Sequence, residues 1–217
     1  MKKLLYKEYK LVVIPVVYLF LSFIFLLIIP GYPYTVSFFY TCLGIFFCFQ
    51  TARENKDILY MTTLPVAKKD MVKARYLTVL TIEGLQILLS LPVAALRGTL
   101  LTYENVAGIE ADVAFFGIAF LIFGVFNWIF MGTYFKNVYR VGVAFVKSIF
   151  GVFAVILLAE ASVHIARAIW GTCYWDSMRP DDLLRQLPIL AAGILFFTAV
   201  TAVRYHLDII HFEKQDL

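Results

Sequence analysis

Four ionisable side chains, Glu83, Lys147, Glu160 and His164, sit within stretches that are otherwise apolar, with Arg167 just beyond one of them, and any chemistry would be sought there first. Glu83 lies about two turns into one such stretch, and Lys147 lies at a similar depth in another. An ionisable group in hydrocarbon is costly and marks a functional candidate. Opposite charges at similar depth predict an ion pair, Glu83–Lys147, that neutralises both. Lys147 could instead snorkel to the surface, or either residue could contact a gate or cargo. Glu160, His164 and Arg167 are spaced i, i+4, i+7, which places them in one stripe along a helix. The stripe could face an outer vestibule, relay protons or, with Glu160 and His164, serve an intramembrane enzyme. One His and one Glu fall short of the three or four ligands of a metal site, so no metal is expected. Cys42, Cys48 and Cys173 show neither CxxC nor zinc spacing and read as small buried hydrophobes plus one free thiol.

Several motifs are absent. The chain has no GxxxxGK[ST] loop, so it has no P-loop site for ATP. HExxH and GxSxG are also missing. No catalytic residues are assigned, and no cofactor is expected on this chain.

The most informative polar segment is Arg53–Arg75, RENKDILYMTTLPVAKKDMVKAR. Apolar residues there stand between charged flanks. Leu64-Pro65 interrupts the chain, because Pro cannot continue a helix and restrains the residue before it. The segment therefore predicts helix, break, helix. It would present Ile58, Tyr60, Met61 and Leu64 as apolar anchors, with Asp57, Lys68, Lys69 and Asp70 as polar flanks.

These residues must be positioned by helices in a membrane. Hydrophobic residues make up 62% of the chain and charged residues only 16%, well outside the soluble range. The excess is concentrated in six blocks, Leu11–Ile29, Thr35–Ala52, Tyr76–Leu96, Val113–Phe135, Val141–Ala166 and Leu187–Val203. Each is near the roughly 20 residues that a spanning helix needs. None alternates like a barrel strand, and the backbone must satisfy itself in hydrocarbon. The fold class is therefore all-α, a single transmembrane domain over residues 1–217 with six transmembrane helices. The first block lacks a cleavage pattern before Pro30-Gly31-Tyr32-Pro33 and reads as a retained helix.

Residues 1–10, MKKLLYKEYK, read as an interfacial amphipathic helix with Lys2, Lys3, Lys7 and Lys10 toward water or headgroups. Residues 167–186 form a long outer segment with Trp170, Tyr174 and Trp175, aromatics that favour the membrane interface. With the N-terminus in the cytoplasm, 15 of the 19 Lys and Arg residues fall on the inner side. That asymmetry sets the orientation, with both termini inside. It also accounts for the basic balance without nucleic acid as a partner.

The 53–77 stretch carries a family likeness. Asp57-Ile-Leu-Tyr, then Leu64-Pro65-Val66, then Lys69-Asp70-Met71-Val72 followed by Arg75-Tyr76-Leu77 resembles the membrane subunits of type-2 ABC exporters. Among these, the small permeases that export phenol-soluble modulins and other amphipathic peptides look nearest. The resemblance implies a permease in a bacterial cytoplasmic membrane, exporting an amphipathic peptide or lipid-like cargo. It implies a second permease copy or paralogue, and two copies of a separate ABC ATPase subunit holding ATP and magnesium. It makes residues 53–75 a coupling helix docked on the ATPase, the turn at 134–140 a second contact, and residues 167–186 an outer gate. Phe38, Phe39, Phe46, Phe47 and Phe49 on the second helix would then suit an apolar cargo path. An intramembrane enzyme, or a scaffold or immunity subunit that moves nothing, is the alternative.

Overall fold

The computed structural model describes residues 2–29, 31–100, 105 and 107–214. Among these, all regular structure is helical. The helices are α1 (Lys2–Lys7), α2 (Val16–Ser22), α3 (Val36–Glu54), α4 (Asp57–Thr62), α5 (Lys68–Leu100), α6 (Val113–Tyr134), α7 (Val141–Trp170) and α8 (Pro180–Glu213). A π-helical turn, Glu8–Val12, extends α1, and a 3-10 stretch, Phe23–Ile28, extends α2.

Four helices, α5 to α8, are long and apolar enough to cross a membrane. A fifth crossing results if the pair Lys2–Val12 and Val16–Ile28, bent by 81°, counts as one span. The six predicted blocks thus meet two departures at the N-terminal end. Pro15 cannot donate a backbone N–H and disfavours helical backbone at Ile14, so the first block breaks there instead of running straight. The second block becomes α3, which has 19 residues and ends on Gln50, Arg53 and Glu54.

Two other boundaries move. α7 continues through Trp170 and stops where Gly171, at φ +70°, adopts the left-handed cap that glycine tolerates best. α8 begins with Pro180 in its first turn and runs to Glu213, well beyond the end of the sixth apolar block at Val203.

α6 is the most buried of the long helices. Phe115, Phe123, Phe126 and Phe130 on it are fully enclosed. α8 packs against it through glycines. A Cβ at Gly117 would lie 2.7 Å from the carbonyl oxygen of Ile189, and one at Gly124 would lie 2.9 Å from the Phe196 ring. Gly193 faces Gly117 from the other side. Small residues let helices approach closely in lipid, where dispersion contacts drive association.

Side-chain bonds show which ends share a face. Lys7 reaches Asp57, Arg53 reaches the Tyr139 carbonyl, and Lys68 reaches the Glu213 carbonyl. The N-terminus, α4, the 135–140 turn and the end of α8 therefore lie together, on what we call the basic face. Tyr34, Thr35, Arg97, Asn105, residues 107–112, Glu160 and residues 173–186 gather on the opposite, far face.

Candidate functional site

On the basic face, four charged side chains close into one buried network. Arg75 of α5 is only 2% exposed. It pairs with Glu8 at 2.7 Å and with Asp57 at the start of α4. Lys7 pairs with Glu8 at 2.7 Å and Asp57 at 2.8 Å. Two cations and two carboxylates thereby balance. The Arg75 guanidinium also lies 5.4 Å from the Phe49 ring centroid, a cation–π distance. The network fixes α1 and α4 against α5. Lys7 therefore turns inward, although the amphipathic pattern assigns it to water. Asp57 likewise serves this internal network and is not a free docking flank.

α4 enters through Lys56, whose left-handed backbone (φ +52°) redirects the chain after α3. Its two faces differ from the sequence expectation. Ile58 and Met61 point into the core, Met61 being 3% exposed. Leu59, Tyr60 and Leu64 point outward, Tyr60 being 62% exposed. The expected set of anchors mixes the faces because a single helical turn was read as one surface. The exposed apolar ridge is Leu59–Tyr60–Leu64, beside the exposed Pro65.

A cavity of about 540 Å³ opens beside this ridge. Leu4, Leu11, Met61 and Leu64 form apolar walls, while Lys3, Lys7 and Asp70 supply charge. A second cavity of about 250 Å³ lies across α4, bounded by Arg53, Lys56, Leu59, Tyr134, Val138 and Tyr139. Lys68 donates to the Glu213 carbonyl at 3.3 Å, and Lys69 is exposed.

Inside the bundle, Glu83 is buried and accepts a hydrogen bond from Asn127 Nδ2 at 3.0 Å. Lys147 is exposed on α7. The expected Glu83–Lys147 pair is therefore not formed among the described residues. Similar depth did not mean facing sides. Asn127 carries no charge to mark it, but it is the one amide side chain inside the fourth apolar block.

Nearer the basic face, Tyr76 donates to Asp208 at 2.6 Å, and Arg204 donates to the same carboxylate. Arg204 also reaches the Gly132 carbonyl at 3.3 Å. The i, i+4 spacing of Arg204 and Asp208 is the signal the sequence offers, just beyond the sixth apolar block.

The stripe of Glu160, His164 and Arg167 divides among separate partners. Glu160 accepts from Thr35 Oγ1 and from the Ile109 N–H, both at 3.0 Å. Arg167 pairs with Asp176, and His164 is exposed. Glu160 and His164 therefore do not converge on a common point as an intramembrane enzyme would require. Among the described residues no group of three or more His, Cys, Asp or Glu could hold a metal.

Far-face loops are tied down by further bonds. Arg97 pairs with Glu110 at 2.6 Å and donates to Tyr34 at 2.8 Å. Asp112 caps α6 by accepting from the Phe115 N–H at 2.9 Å, and also accepts from Ser177 N–H at 3.1 Å. Burial lifts the Asp112 carboxyl from an ordinary 3.8 to about 7, against the pull of these N–H donors. Gln186 links the loop carbonyls of Tyr174 and Ser177 to the start of α6. Burial likewise raises the Cys173 thiol to about 11, so little thiolate exists there at neutral pH.

The phenylalanines of α3 mostly build the core. Phe38 packs on Phe115 and Phe123, and Phe49 on Phe130 and Tyr134. Of the five, Phe47 is exposed and Phe39 and Phe46 are half-buried.

Comparison with known proteins yields no curated protein and no solved structure that matches. A family model described as "ABC-2 family transporter protein" does match, over residues 2–173. The match takes in the basic-face network, α4, Glu83 and the far-face bonds of Arg97 and Glu160, and it ends before α8. A multi-pass helical chain matched over that span belongs to the ABC-2 transporter family, as its membrane permease subunit.

Proposed function

We propose that this chain is the membrane half of an ATP-driven exporter, paired with a second permease copy or paralogue and two ATPase subunits. The observation that carries this reading is the Leu59–Tyr60–Leu64 ridge. It is apolar, exposed and backed by a buried ionic network, so a push on α4 is transmitted to α5. Large apolar side chains exposed at a membrane's edge suit a protein partner, and an aromatic anchor usually dominates such an interface. The 540 Å³ cavity would receive part of that partner, and the cavity bordered by Tyr134 and Tyr139 would receive a second contact. ATP and magnesium would reside on the ATPase.

In this reading the basic face is cytoplasmic and the bundle crosses six times, with α3 returning from far-face Thr35 to basic-face Arg53. Large apolar side chains are exposed along α7 and α8, among them Phe150, Leu157, Leu158 and Leu195, which favours an amphipathic peptide or lipid-like cargo over an ion. Export from a bacterial cell membrane follows the family resemblance.

Two measurements test this. Tagged chain captured from native membranes should bring an ABC ATPase with it. Leu59→Ser with Tyr60→Ser should abolish that capture while leaving thermal stability unchanged. Absence of any ATPase from the wild-type sample would overturn the proposal. Orientation is read separately. A cysteine at Lys69 should resist an impermeant thiol reagent on whole cells, and one at Asp181 should react. The three native cysteines are buried, so background labelling is low. Reversed labelling would invert the assigned topology.

A further inference from the structure

Midway along α5, polar side chains from three helices meet without a cation to balance them. Glu83 is 1% exposed. Its Oε2 accepts from Asn127 Nδ2 at 3.0 Å, while Oε1 has no hydrogen-bond partner. Asn127 Oδ1 on α6 is also without a partner, and Asn127 Nδ2 reaches Thr201 Oγ1 of α8 at 3.5 Å. Gln86 is 0% exposed, and neither its amide oxygen nor its nitrogen is bonded. Positions i and i+3 share a helix face, so Gln86 follows Glu83 on the side of α5 turned into the bundle.

Leaving these groups unmet is expensive, and a bare carboxylate in hydrocarbon is the most expensive of all. No fixed charge relieves it. α3 contributes the buried thiol of Cys42, which brings no positive charge. On α5, Tyr76 donates its hydrogen bond to Asp208, and on α8 Arg204 is engaged by the same Asp208. α6 offers the neutral Asn127, and Lys147 of α7 is exposed. Among the described residues, no Lys or Arg lies within ion-pair distance of Glu83.

We propose that Glu83, Gln86, Asn127 and Thr201 form an exchangeable site for one monovalent cation, either a proton or a sodium ion. One positive charge balances one carboxylate, whereas a divalent ion would leave an excess in hydrocarbon. The atoms that could hold it are carboxylate, amide and hydroxyl oxygens, those of Glu83, Gln86 and Asn127 being unpartnered, and this is the set that suits a hard cation. The site is shared by α5, α6 and α8, so any movement that parts them breaks it open. Occupancy therefore favours the packed arrangement seen here. The inference goes beyond the exporter reading and does not depend on an ATPase partner.

The test is thermal unfolding of the full-length chain in lipid nanodiscs. One arm varies sodium against choline at fixed pH and ionic strength, and the other varies pH without sodium. A bound cation stabilises by mass action, about 3–6 °C for each tenfold rise above its dissociation constant. A sodium response in the wild type that Glu83→Gln abolishes identifies sodium. A pH response without a sodium response, again lost in Glu83→Gln, identifies a proton. Titration at the far face persists in both proteins and cancels in the comparison. Should Glu83→Gln fail to assemble, Asn127→Leu serves instead. It should move the midpoint of the sodium or pH response, which a purely structural role would leave in place while lowering stability throughout. Identical responses in wild type and variant, or no response in either arm, would overturn the site.

Discussion

α5 carries a buried arginine near each end, and the two ends are built on different electrostatic plans. Arg75 and Arg97 are 22 residues apart on one helix, or roughly 33 Å at the usual rise, close to the thickness of a bilayer's hydrocarbon. At the basic face, Arg75 and Lys7 meet Glu8 and Asp57, and the charges cancel. At the far face, Arg97 and Arg167 stand among Glu110, Asp112, Asp176 and Glu160, an excess of acid. The basic end joins side chain to side chain between separate helices. The far end relies largely on carboxylates accepting loop N–H groups, as at Asn105, Ile109, Glu110, Phe115 and Ser177. Joined helices can move as a unit, whereas loops bonded along their backbone are held in place. In the proposed exporter the basic face would act as a lever and the far face as a cap.

Removing the arginines should separate the two plans most sharply. Arg75→Leu leaves two buried carboxylates sharing Lys7. Breaking a buried pair from one side typically costs about 3–5 kcal/mol, so the protein should unfold at much lower temperature in detergent. Glu8→Gln combined with Asp57→Asn should recover much of the loss in that background. Arg97→Leu leaves Glu110 with the Asn105 N–H as acceptor's partner, so a smaller loss of about 1–3 kcal/mol is expected. Equal losses at the two ends would erase the distinction.

The two faces of α4 sharpen the lever half. Met61→Ala removes a buried side chain and should cost about 2–5 kcal/mol in unfolding experiments. Tyr60→Ala changes an exposed position, where substitutions usually stay within about 0.5 kcal/mol. In the assembled transporter the order should reverse. Tyr60→Ala should abolish cargo-stimulated ATP hydrolysis while Met61→Ala, assayed well below its melting temperature, retains part of it. Full activity in Tyr60→Ala would remove the ridge from coupling.

How much of this was legible in the sequence depends on the kind of signal. Hydrocarbon demands long apolar helices, so the blocks at α5 to α8 could be read directly. The broken first block was also signalled, since Pro15 stands inside it, but its mean apolarity concealed the bend. Arg75 and Asp57 could be picked out by motif, yet their pairing with Glu8 could not. Glu8 lies among four lysines and reads as part of a solvated basic segment. Which side of a short helix faces inward is decided by tertiary packing, and that is why Met61 and Tyr60 were grouped. Glu83 was found and given the wrong partner, because depth follows from residue number whereas facing depends on helix rotation. Asn127 and the glycines at 117, 124 and 132 carried usable signals, being polar or small residues within the most enclosed span. The far-face network joins loop positions with no periodicity and could be seen only in the fold.

The acid excess at the far face gives the gentlest of these effects, and it has a definite sign. Asp112 titrates near 3.8 ordinarily and at about 7 in the folded protein, chiefly because it is buried. The folded state therefore binds this proton more tightly than the unfolded chain does. Its stabilising contribution is complete below pH about 4 and is lost as pH rises through about 7. Unfolding temperature should fall across that window for this reason alone. Asp112→Asn should flatten that part of the curve, because an amide does not titrate. Its Oδ1 can still accept from the Phe115 N–H and cap α6. Its Nδ2 cannot accept from Ser177, so a pH-independent loss of about 1 kcal/mol is expected. A profile unchanged by Asp112→Asn would mean that the far face is not the acid-loaded end, and the contrast between the two ends of α5 would reduce to their hydrogen bonding.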